Sequence, residues 1–399
     1  MVIGLIREGK VPADSRVALT PAQCKWMLRN RKDIHILVQQ SPHRCFTDKE
    51  YQAAGVDVVE DLSGCDILLG IKEVPVSMLI PSKTYLFFSH TKKQQPYNRA
   101  MLQDIINKKI TLIDYECLEH EDGTRIIGFG FFAGIVGAHN GMVIYANRTG
   151  DYTLNRVNSS KNFQHLIHTY FGLKLPNIKI AVTGSGRVAH GVLEIMNLLG
   201  IHEVEPEDYL AKNFVYPVYV HLKGADLYAE NLTGIYNRDD FHLNPGNYHC
   251  LFSKYLAHTD ILMNGVYWEL PIPRLFELSD ISSPDFRIRS IADITDDRSG
   301  SVPCNLGDSS IEDFVYGVDR ISGEKTLPYL PGSIDVMAVG NLPNELPRDA
   351  SRYFGEQLIK YVFAELFSPV SDLVDKATIV KAGILNHPFN YLEDYAALK

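Results

Sequence analysis

The chain is short of cysteine, of long hydrophobic runs and of positive charge. Only 6 of its 399 residues are cysteine, and none of them stands in a C-x-x-C pair. This scarcity argues against a disulfide framework and predicts the reduced thiols of a cytoplasmic protein. No apolar run approaches the roughly 18 residues that a membrane helix requires, so we expect no membrane span. The N-terminal residues also lack the basic segment of a signal peptide.

The formal net charge of −9 argues against binding to nucleic acid or to an anionic membrane surface. Motifs for a serine-hydrolase elbow, a P-loop lysine and an H-E-x-x-H zinc site are also missing. His165 and His168 are spaced as on one face of a helix, but no carboxylate or cysteine pair accompanies them. We therefore expect no metal and a small-molecule substrate, and we leave a homo-oligomer open.

Apolar strands alternate with amphipathic helices in the first third of the chain. One helix is predicted to begin after Thr20, because the Thr cap, Pro21 and Gln23 form a capping signature. This rhythm predicts a parallel or mostly parallel α/β sheet. The predicted strands cover residues 2–6, 34–38, 66–72, 84–90 and 110–116, and further helices are predicted near 48–54 and 96–107.

A second alternating set predicts two Rossmann-like, doubly wound α/β domains. The first would comprise residues 1–135 with 345–399, and the second residues 136–344. Ligands of such folds bind at the carboxyl ends of strands, so we expect an active-site cleft between the domains. A connecting helix is predicted over 138–148, a mobile loop over 150–160 and a C-terminal helix over 349–367. The later strands are predicted at 178–183, 218–222, 260–264, 288–294 and 334–339.

The segment Thr183-Gly-Ser-Gly-Arg-Val-Ala-His-Gly191 lies between an apolar run and a helical pattern. Strand, glycine turn and helix together are the context of a dinucleotide-binding fingerprint. Gly184 would form the tight turn, Gly186 would admit a pyrophosphate, and Ala189 with Gly191 would allow close helix–strand packing. The N–H groups at the start of the helix would bind phosphate. We therefore predict a nicotinamide dinucleotide, NAD or NADP, bound by Gly184, Ser185, Gly186, Arg187 and Val188.

The choice between NAD and NADP depends on the acid that binds the adenosine ribose. Glu205 is the candidate, since Val204-Glu205-Pro206 is expected to end the second strand of this domain. An arginine that would accept a 2′-phosphate is not obvious in the sequence. The sequence therefore favours NAD slightly over NADP.

Polar groups follow the predicted strands of the first domain. Lys72 and Glu73 end the third strand, and His90 ends the fourth. A lone cation after a strand is usually a solvated loop residue. Several cations on one edge of an acidic chain, however, suit a substrate with several carboxylates, which arginine binds in a bidentate manner. We therefore favour a functional role for Lys72 and His90 and lean to one for Arg16 and Arg125.

Four segments of the first domain match one known family. They are residues 70–75 (Gly-Ile-Lys-Glu-Val-Pro), 83–91, 112–116 and 129–134. They resemble the lysine-forming saccharopine dehydrogenases, and in particular the lysine–ketoglutarate reductase domain of aminoadipic semialdehyde synthase. Further matches at 264–269 and 341–347 extend the resemblance over nearly the whole chain. This family is similar to alanine dehydrogenase and to the NAD-binding subunit of transhydrogenase.

The resemblance implies reversible oxidation of saccharopine, the secondary amine that joins lysine to 2-oxoglutarate, by hydride transfer to a nicotinamide. Hydrolysis of the resulting imine gives lysine and 2-oxoglutarate, and a reductase runs the same steps backwards. Lys72 and His90 match the proton-transfer residues of the family. The carboxylates of Glu73 and Glu116 would tune the pKa values of that pair. Substrate binding is implied for Arg16, Lys93, Arg125 and Asp297, and cofactor binding for Asn264 and Gly265.

The chain departs from the family at Gly340, where relatives tend to have Asp. Two other functions are considered. One is that of an alanine-dehydrogenase-like or other opine or amino-acid dehydrogenase, and it is disfavoured because the strand ends carry more cations than one carboxylate needs. The other is a non-catalytic dinucleotide-binding sensor, and it is disfavoured because a sensor needs no proton-transfer pair such as Lys72 and His90.

Overall fold

Two α/β units divide the chain. One comprises Met1–Phe129 and Pro347–Lys399, and the other comprises Gly130–Leu346. The structure is a computed structural model, and it describes residues 1–307 and 309–397. Within these described ranges, no helix combines the length and the apolar character needed to cross a bilayer.

The first unit is built around an eight-stranded sheet. Numbered along the whole chain, its strands are β1 (Val2–Leu5), β2 (His35–Gln39), β3 (Asp57–Val59), β4 (Ile67–Leu69), β5 (Thr84–Phe87), β6 (Thr111–Asp114), β17 (Thr378–Lys381) and β18 (Ile384–Leu385). Its α-helices are α1 (Pro21–Asn30), α2 (Asp48–Ala53), α3 (Arg99–Asn107), α9 (Pro347–Gln357), α10 (Phe363–Leu366), α11 (Asp372–Ala377) and α12 (Glu393–Ala396). Short 3-10 turns lie at Val76–Met78, Thr91–Lys93, Pro96–Asn98, Tyr115–Cys117 and His387–Leu392.

The strand order of this sheet is β18-β17-β6-β5-β4-β1-β2-β3. All pairs from β6 to β3 are parallel, whereas β17 pairs antiparallel with both β6 and β18. The carboxyl ends of β6, β5, β4 and β1 therefore lie next to one another at one edge. The predicted parallel α/β sheet is confirmed, with an antiparallel extension that the sequence analysis does not predict.

The first two helices begin at capping boxes. The Gln23 side chain accepts the backbone N–H of Thr20 at 2.9 Å, and the Thr20 hydroxyl accepts the N–H of Gln23 in return. Thr47 and Glu50 repeat this arrangement at the start of α2. Such reciprocal bonds satisfy N–H groups that have no partner within the helix. The helix predicted to begin after Thr20 is therefore confirmed.

Some boundaries differ from the predicted ones. β4 ends at Leu69 and β5 ends at Phe87, so Lys72 and His90 follow their strands instead of ending them. The helix predicted over 349–367 is divided into α9, a π-helical turn at Leu358–Val362 and α10. Wider π turns of this kind interrupt the regular helical bonding pattern, which apolar periodicity alone does not indicate.

The second unit is built around a second eight-stranded sheet. Its strands are β7 (Lys179–Thr183), β8 (His202–Glu203), β9 (Val218–Leu222), β12 (Ile261–Asn264), β13 (Ser290–Asp293), β14 (Tyr316–Asp319), β15 (Lys325–Thr326) and β16 (Ser333–Met337), with a separate hairpin of β10 (Tyr228–Glu230) and β11 (Tyr248–Cys250). Its α-helices are α4 (Gly130–Thr149), α5 (Phe163–His168), α6 (Arg187–Leu198), α7 (Pro206–Ala211) and α8 (Arg238–Leu243). Short 3-10 turns lie at Val157–Ser159, Gly224–Asp226, Pro245–Asn247, Phe252–Tyr255, Leu278–Ser282 and Leu342–Glu345.

The strand order of the second sheet is β15-β14-β16-β13-β12-β7-β9-β8. Strands from β16 to β8 pair in parallel, and β14 pairs antiparallel with β16 and β15. β7 is buried along its whole length and lies in the interior of the sheet. The predicted α/β class is thus confirmed for this unit. The glycine segment that follows β7 lies at the edge of the sheet formed by the carboxyl ends of the parallel strands.

Helix α4 begins at Gly130, well before the predicted start at residue 138, because its glycines pack against α6. A Cβ atom added to Gly134 would lie 2.0 Å from the carbonyl oxygen of Val188, and one added to Gly191 would lie 2.0 Å from that of Phe131. The two helix backbones therefore touch directly. Gly191 serves helix–helix packing here, and not the helix–strand packing expected from the sequence.

The polar segment 150–160 is packed, although the sequence predicts a mobile loop. Tyr152, Leu154 and Val157 are buried. The Tyr152 hydroxyl also donates to the carbonyl oxygen of Met142 in α4 at 2.7 Å. Three apolar anchors among polar neighbours hold the segment against the helix.

Substitution of Gly191 by alanine should destabilise the second unit. The new methyl group would overlap the Phe131 carbonyl oxygen, and overpacking of this kind typically lowers the free energy of unfolding by about 1–3 kcal/mol. Thermal unfolding followed by circular dichroism measures the effect. Gly246→Ala is the matched control, because its new Cβ would meet Pro271 at an ordinary 3.6 Å. Equal melting temperatures for the two variants would contradict the close helix contact.

Candidate active site

Four neighbouring strands of the first unit deliver polar side chains to one edge of the sheet. Lys72 and Glu73 follow β4, His90 follows β5, Glu116 follows β6, and Arg16 lies in the segment after β1. Parallel pairing requires these carboxyl ends to share one edge, as the sequence analysis expects. The structure therefore brings the two predicted proton-transfer residues to adjacent strand ends.

Glu73 joins two of these groups. Its Oε1 atom lies 2.7 Å from Nδ1 of His90, and its Oε2 atom accepts a hydrogen bond from Nζ of Lys10 at 2.7 Å. Burial would raise the pKa of Glu73, but the bonds to His90 and Lys10 outweigh burial and lower that pKa to about 2. Glu73 is therefore a carboxylate at any physiological pH. It holds the His90 ring at Nδ1, so that Nε2 is the ring nitrogen that Glu73 does not contact.

Lys72 is a partly buried amine with a lowered pKa. Burial lowers the pKa of its ammonium group from 10.5 to about 8, and the nearby cations of Arg16 and Lys10 act in the same direction. The carboxylates of Asp14 and Glu73 oppose this shift without cancelling it. An amine with this pKa can both accept and donate a proton near neutral pH.

Arg16 is almost completely buried, with 3% of its surface exposed. Its Nε atom donates to Asp14 Oδ1 at 3.0 Å, its second nitrogen donates to Asp14 Oδ2 at 2.5 Å, and its guanidinium lies 4.2 Å from the ring centre of Phe129. Burial would raise the pKa of Asp14, but Arg16 lowers it to about 2. The sequence analysis misses Asp14, whose only signal is an acid two residues before a predicted functional arginine.

Glu116 and Arg125 form a second pair at this edge, with 2.9 Å between Oε1 and the guanidinium nitrogen. Burial would raise the pKa of Glu116, but Arg125, His90 and Lys93 lower it below its usual value. The other oxygen of Glu116, Oε2, is buried and has no hydrogen-bond partner within the described ranges. Arg125 is 39% exposed, and Lys93 lies exposed in the turn after His90. Both cations can reach a ligand.

The backbone of His90 is held in an uncommon conformation. Its φ angle is +52°, in the left-handed region that residues other than glycine rarely adopt. The preceding residue, Ser89, donates its backbone N–H to the buried carboxylate of Asp114 at 3.1 Å, and its hydroxyl also donates to Asp114. Strained residues of this kind concentrate at functional sites, where the surroundings hold them.

The glycine loop of the second unit has the geometry that a dinucleotide requires. Gly184 has a φ angle of +103°, and a Cβ there would lie 2.5 Å from the carbonyl oxygen of Gly265. Gly186 precedes α6 as its N-cap, and a Cβ there would meet nothing within 4 Å. Open space in front of a helix N-terminus fits a pyrophosphate. Ser185 is exposed, and Arg187 and Val188 form the first turn of α6.

Asn264 and Gly265 support this loop from the end of β12. The buried Asn264 accepts the Thr183 hydroxyl at 2.7 Å and donates to Asp293 at 2.8 Å. The N–H of Gly265 donates to the carbonyl oxygen of Thr183 at 3.0 Å. Asn264 thus ties the carboxyl ends of β7, β12 and β13 together, and its observed contacts are structural.

Glu205 follows β8, the second strand of this unit, as the sequence predicts. The strand beside β7 is β9, however, and β8 is the edge strand beyond it. Glu205 is the N-cap of α7 and does not follow the strand next to β7. At the end of β9, the Leu222 carbonyl accepts the N–H of Gly184 at 3.0 Å. Nε2 of His221 lies 2.7 Å from the Gly184 carbonyl oxygen. The residue that follows β9 is Lys223, which the sequence analysis misses because strand order leaves no local signal.

The predicted substrate residue Asp297 belongs to an acidic cluster after β13. Burial raises the pKa of Asp293 to about 6, and burial together with Asp293 raises that of Asp296 to about 7. A Cβ atom at Gly340 would lie 2.8 Å from Oδ2 of Asp296. The missing side chain at 340 therefore leaves room for the Asp296 carboxyl group.

Among the residues that the structure describes, no three His, Cys, Asp or Glu side chains are grouped to hold a metal ion. His165 and His168 lie on the short helix α5. The first unit instead places Lys72 and His90, the predicted proton-transfer residues, after adjacent strands with carboxylates and cations beside them. The second unit offers a loop that fits a dinucleotide.

Comparison with a family model matches residues 4–136 to the alanine dehydrogenase/PNT, N-terminal domain. Two solved structures share the fold. L-alanine dehydrogenase has a TM-score of 0.67 at 16% identity and covers 99% of both chains. Transhydrogenase from Sinorhizobium meliloti has a TM-score of 0.60 at 14% identity, over 97% of this chain and 99% of the other.

Curated relatives match nearly the whole chain. Alpha-aminoadipic semialdehyde synthase, mitochondrial, of Rattus norvegicus is 29% identical over 98% of this chain and 47% of its own length. The synthase of Arabidopsis thaliana is 28% identical over 98% of this chain and 41% of its own length, so the chain spans less than half of these relatives. Saccharopine dehydrogenase (NAD(+), L-lysine-forming) of Candida glabrata is 25% identical over 87% of both. The family resemblance is thereby confirmed: relatives that match this chain are named aminoadipic semialdehyde synthase and saccharopine dehydrogenase (L-lysine-forming), and its residues 4–136 match the alanine dehydrogenase/PNT N-terminal domain.

Proposed function

We propose that this chain is an oxidoreductase that interconverts saccharopine with lysine and 2-oxoglutarate by means of a nicotinamide dinucleotide. The observation that carries the proposal is the Lys72 amine, with a pKa near 8, at the same sheet edge as His90. The names of the homologues support it. The cytoplasmic location and the homo-oligomer stay predictions from the sequence.

Lys72 and His90 are assigned the proton transfers. A nicotinamide bound at the glycine loop would supply hydride transfer to or from the carbon beside the substrate nitrogen. Hydrolysis of the imine then needs one group that takes a proton from water and one that protonates the departing nitrogen. Because Glu73 occupies Nδ1 of His90, this histidine exchanges its proton at Nε2. Nζ of Lys72 is the partner group.

Substrate carboxylates are assigned first to Arg125 and Lys93, which are exposed enough to meet a ligand. Arg16 is hydrogen-bonded to Asp14, and its positive charge helps to lower the pKa of Lys72. The unpartnered Oε2 of Glu116 is an acceptor for an N–H of the substrate amine. Asp297 keeps its proposed place near that amine.

The cofactor is proposed to be NAD or NADP, held at its pyrophosphate by the residues 184–188. The preference for NAD depended on Glu205, which does not stand at the end of the strand beside β7. Lys223 stands there instead, directly after the residue whose carbonyl accepts the Gly184 N–H. A cation at this position suits the 2′-phosphate of NADP. We therefore assign NADP as a cofactor that this chain accepts.

The reaction can be tested directly with the purified chain. Lysine, 2-oxoglutarate and NADH or NADPH are mixed, and the loss of nicotinamide absorbance is followed. We expect turnover that requires both lysine and 2-oxoglutarate. Turnover of pyruvate and ammonia in their place would favour the alanine-dehydrogenase alternative, and cofactor binding without any turnover would favour the sensor.

The pH dependence should report Lys72. In saccharopine oxidation the Lys72 amine must be unprotonated to accept a proton. Activity should therefore rise as pH rises through the Lys72 pKa of about 8. Lys72→Met should remove this limb and lower kcat about 100-fold or more, and His90→Gln should lower kcat similarly. Lys25→Met, at an exposed position on α1, is the control. A wild-type pH profile in both site variants would remove the assignment.

Cofactor choice should depend on Lys223. In Lys223→Glu the new carboxylate would repel a 2′-phosphate, so KM for NADPH should rise about tenfold relative to KM for NADH. Initial rates at varied cofactor concentration measure both constants. Lys212→Glu places the same change after α7, where the Lys212 carbonyl oxygen accepts Nζ of Lys179 at the start of β7 and thus at the opposite edge of the sheet, and it should leave the ratio unchanged. An unchanged ratio in Lys223→Glu would contradict the assignment.

A further inference from the structure

One carboxyl group connects the end of β1 to the segment that carries Lys72. Oε1 of Glu8 accepts the backbone N–H of Ile71 at 2.7 Å, and its Oε2 accepts the backbone N–H of Lys72 at 2.9 Å. Each oxygen therefore holds one of two consecutive amides.

The close approach of these two segments depends on Gly70. A Cβ atom at this position would lie 2.7 Å from Cδ1 of Ile6 and 3.5 Å from Oε1 of Glu8. A larger residue would push the end of β1 away from the backbone that Glu8 holds. The bidentate contact is thus built by the ends of β1 and β4 together.

We propose that Glu8 is a positioning residue, which fixes the backbone at Ile71 and Lys72 and thereby sets the place of the Lys72 amine. Its catalytic consequence rests on the proposed function, but its effect on the Lys72 amine does not. A carboxylate offers an acceptor to both amides at once, whereas a carboxylic acid holds one of its oxygens as a hydroxyl. The contact is therefore strongest when Glu8 is ionised.

The surroundings of Glu8 make that ionisation sensitive to pH. The residue is partly exposed as a whole, but its carboxyl end is enclosed, and burial raises its pKa from 4.5 to about 8. Asp14 acts in the same direction, and the two backbone bonds and Arg16 oppose it. Burial and Glu8 also raise the pKa of Tyr115, in the turn after β6. Protonation of Glu8 and its contact with the two backbone amides therefore oppose each other near neutral pH.

A positioning role differs from that of an ordinary turn carboxylate. Glu230 also holds two backbone amides, those of Leu232 and Thr233, through one oxygen at 3.1 and 2.7 Å. Those bonds close an exposed local turn within the second unit, whereas Glu8 spans 64 residues of sequence to Lys72. Glu230→Gln is thus a control that makes the same change of carboxylate to amide away from the site, where one amide oxygen can still accept both bonds.

The experiment measures the Lys72 amine itself. Lysine side chains are reductively methylated with 13C-formaldehyde, and the Lys72 signal is assigned by its absence in Lys72→Arg. NMR titration then gives the pKa of Lys72 in the wild type, Glu8→Gln, Glu8→Asp and Glu230→Gln. In Glu8→Gln one amide N–H faces an NH2 group, and in Glu8→Asp the carboxylate is too short to hold both amides. Thermal unfolding of each variant shows whether it is folded.

We expect the pKa of Lys72 to rise towards 10.5 in both Glu8 variants, because a released backbone lets water reach the amine and burial is the main cause of its low pKa. Glu230→Gln should match the wild type. A fall in the pKa of Lys72 in Glu8→Gln would show that Glu8 acts only by its charge, and an unchanged pKa would show no coupling. Loss of folding in both Glu8 variants would assign Glu8 to stability alone. Each of these three outcomes overturns the proposal.

Activity is a second and separate readout. If the chain turns over saccharopine, kcat in Glu8→Gln should fall on the order of tenfold to a hundredfold, as is typical for a displaced catalytic group, with a smaller change in KM. If the proposed reaction fails altogether, the NMR titration still decides the role of Glu8. An unchanged kcat alongside a raised pKa of Lys72 would instead count against Lys72 as a proton-transfer group.

Discussion

Parallel pairing of β6, β5, β4 and β1 is the constraint on which the candidate site depends. Residues far apart in the sequence, such as Glu8, Lys72 and Glu116, reach one edge only because each follows the carboxyl end of a parallel strand. An antiparallel neighbour within this set would send its following segment to the opposite edge. The antiparallel strands β17 and β18 are accordingly found beyond β6, where they extend the sheet without contributing to this group.

The electrostatics of this edge are decided by burial more than by the count of charges. Anions and cations are both present around Lys72, yet its pKa falls, because an ammonium group loses water that the carboxylates only partly replace. The carboxyl groups show the opposite balance. Asp14 and Glu73 stay ionised in spite of burial because each bonds directly to a cationic partner or to histidine. For Asp14 and Glu73, direct contact with the partner outweighs the loss of water. For Lys72, the loss of water outweighs the attraction of the nearby carboxylates.

Features with a strong local signal could be predicted from the sequence. The Thr20 cap, the glycine turn at Gly184 and the strand at 218–222 all depend on neighbouring residues and are found where predicted. Strand order depends on tertiary pairing, so nothing in the sequence around Glu205 shows that β9 separates β8 from β7. The contact of Glu8 with the backbone of Lys72 is equally invisible, because a backbone N–H is the same in every residue. Helix starts are ambiguous where glycines occur, as in α4, since packing overrides their low helix propensity.

The carboxyl group of Asp296 lies in the space that a side chain at residue 340 would need. Asp296 adopts a left-handed backbone with a φ angle of +55°, and its carboxyl oxygen lies where a side chain at 340 would begin. An aspartate at 340 would require the Asp296 carboxyl group to move, since its Cβ would lie 2.8 Å from Oδ2 of Asp296. Residues 296 and 340 should therefore covary among homologues, with an acid at one position accompanied by a small or uncharged residue at the other. The position of the Asp296 carboxyl group and the absence of a side chain at 340 therefore depend on each other.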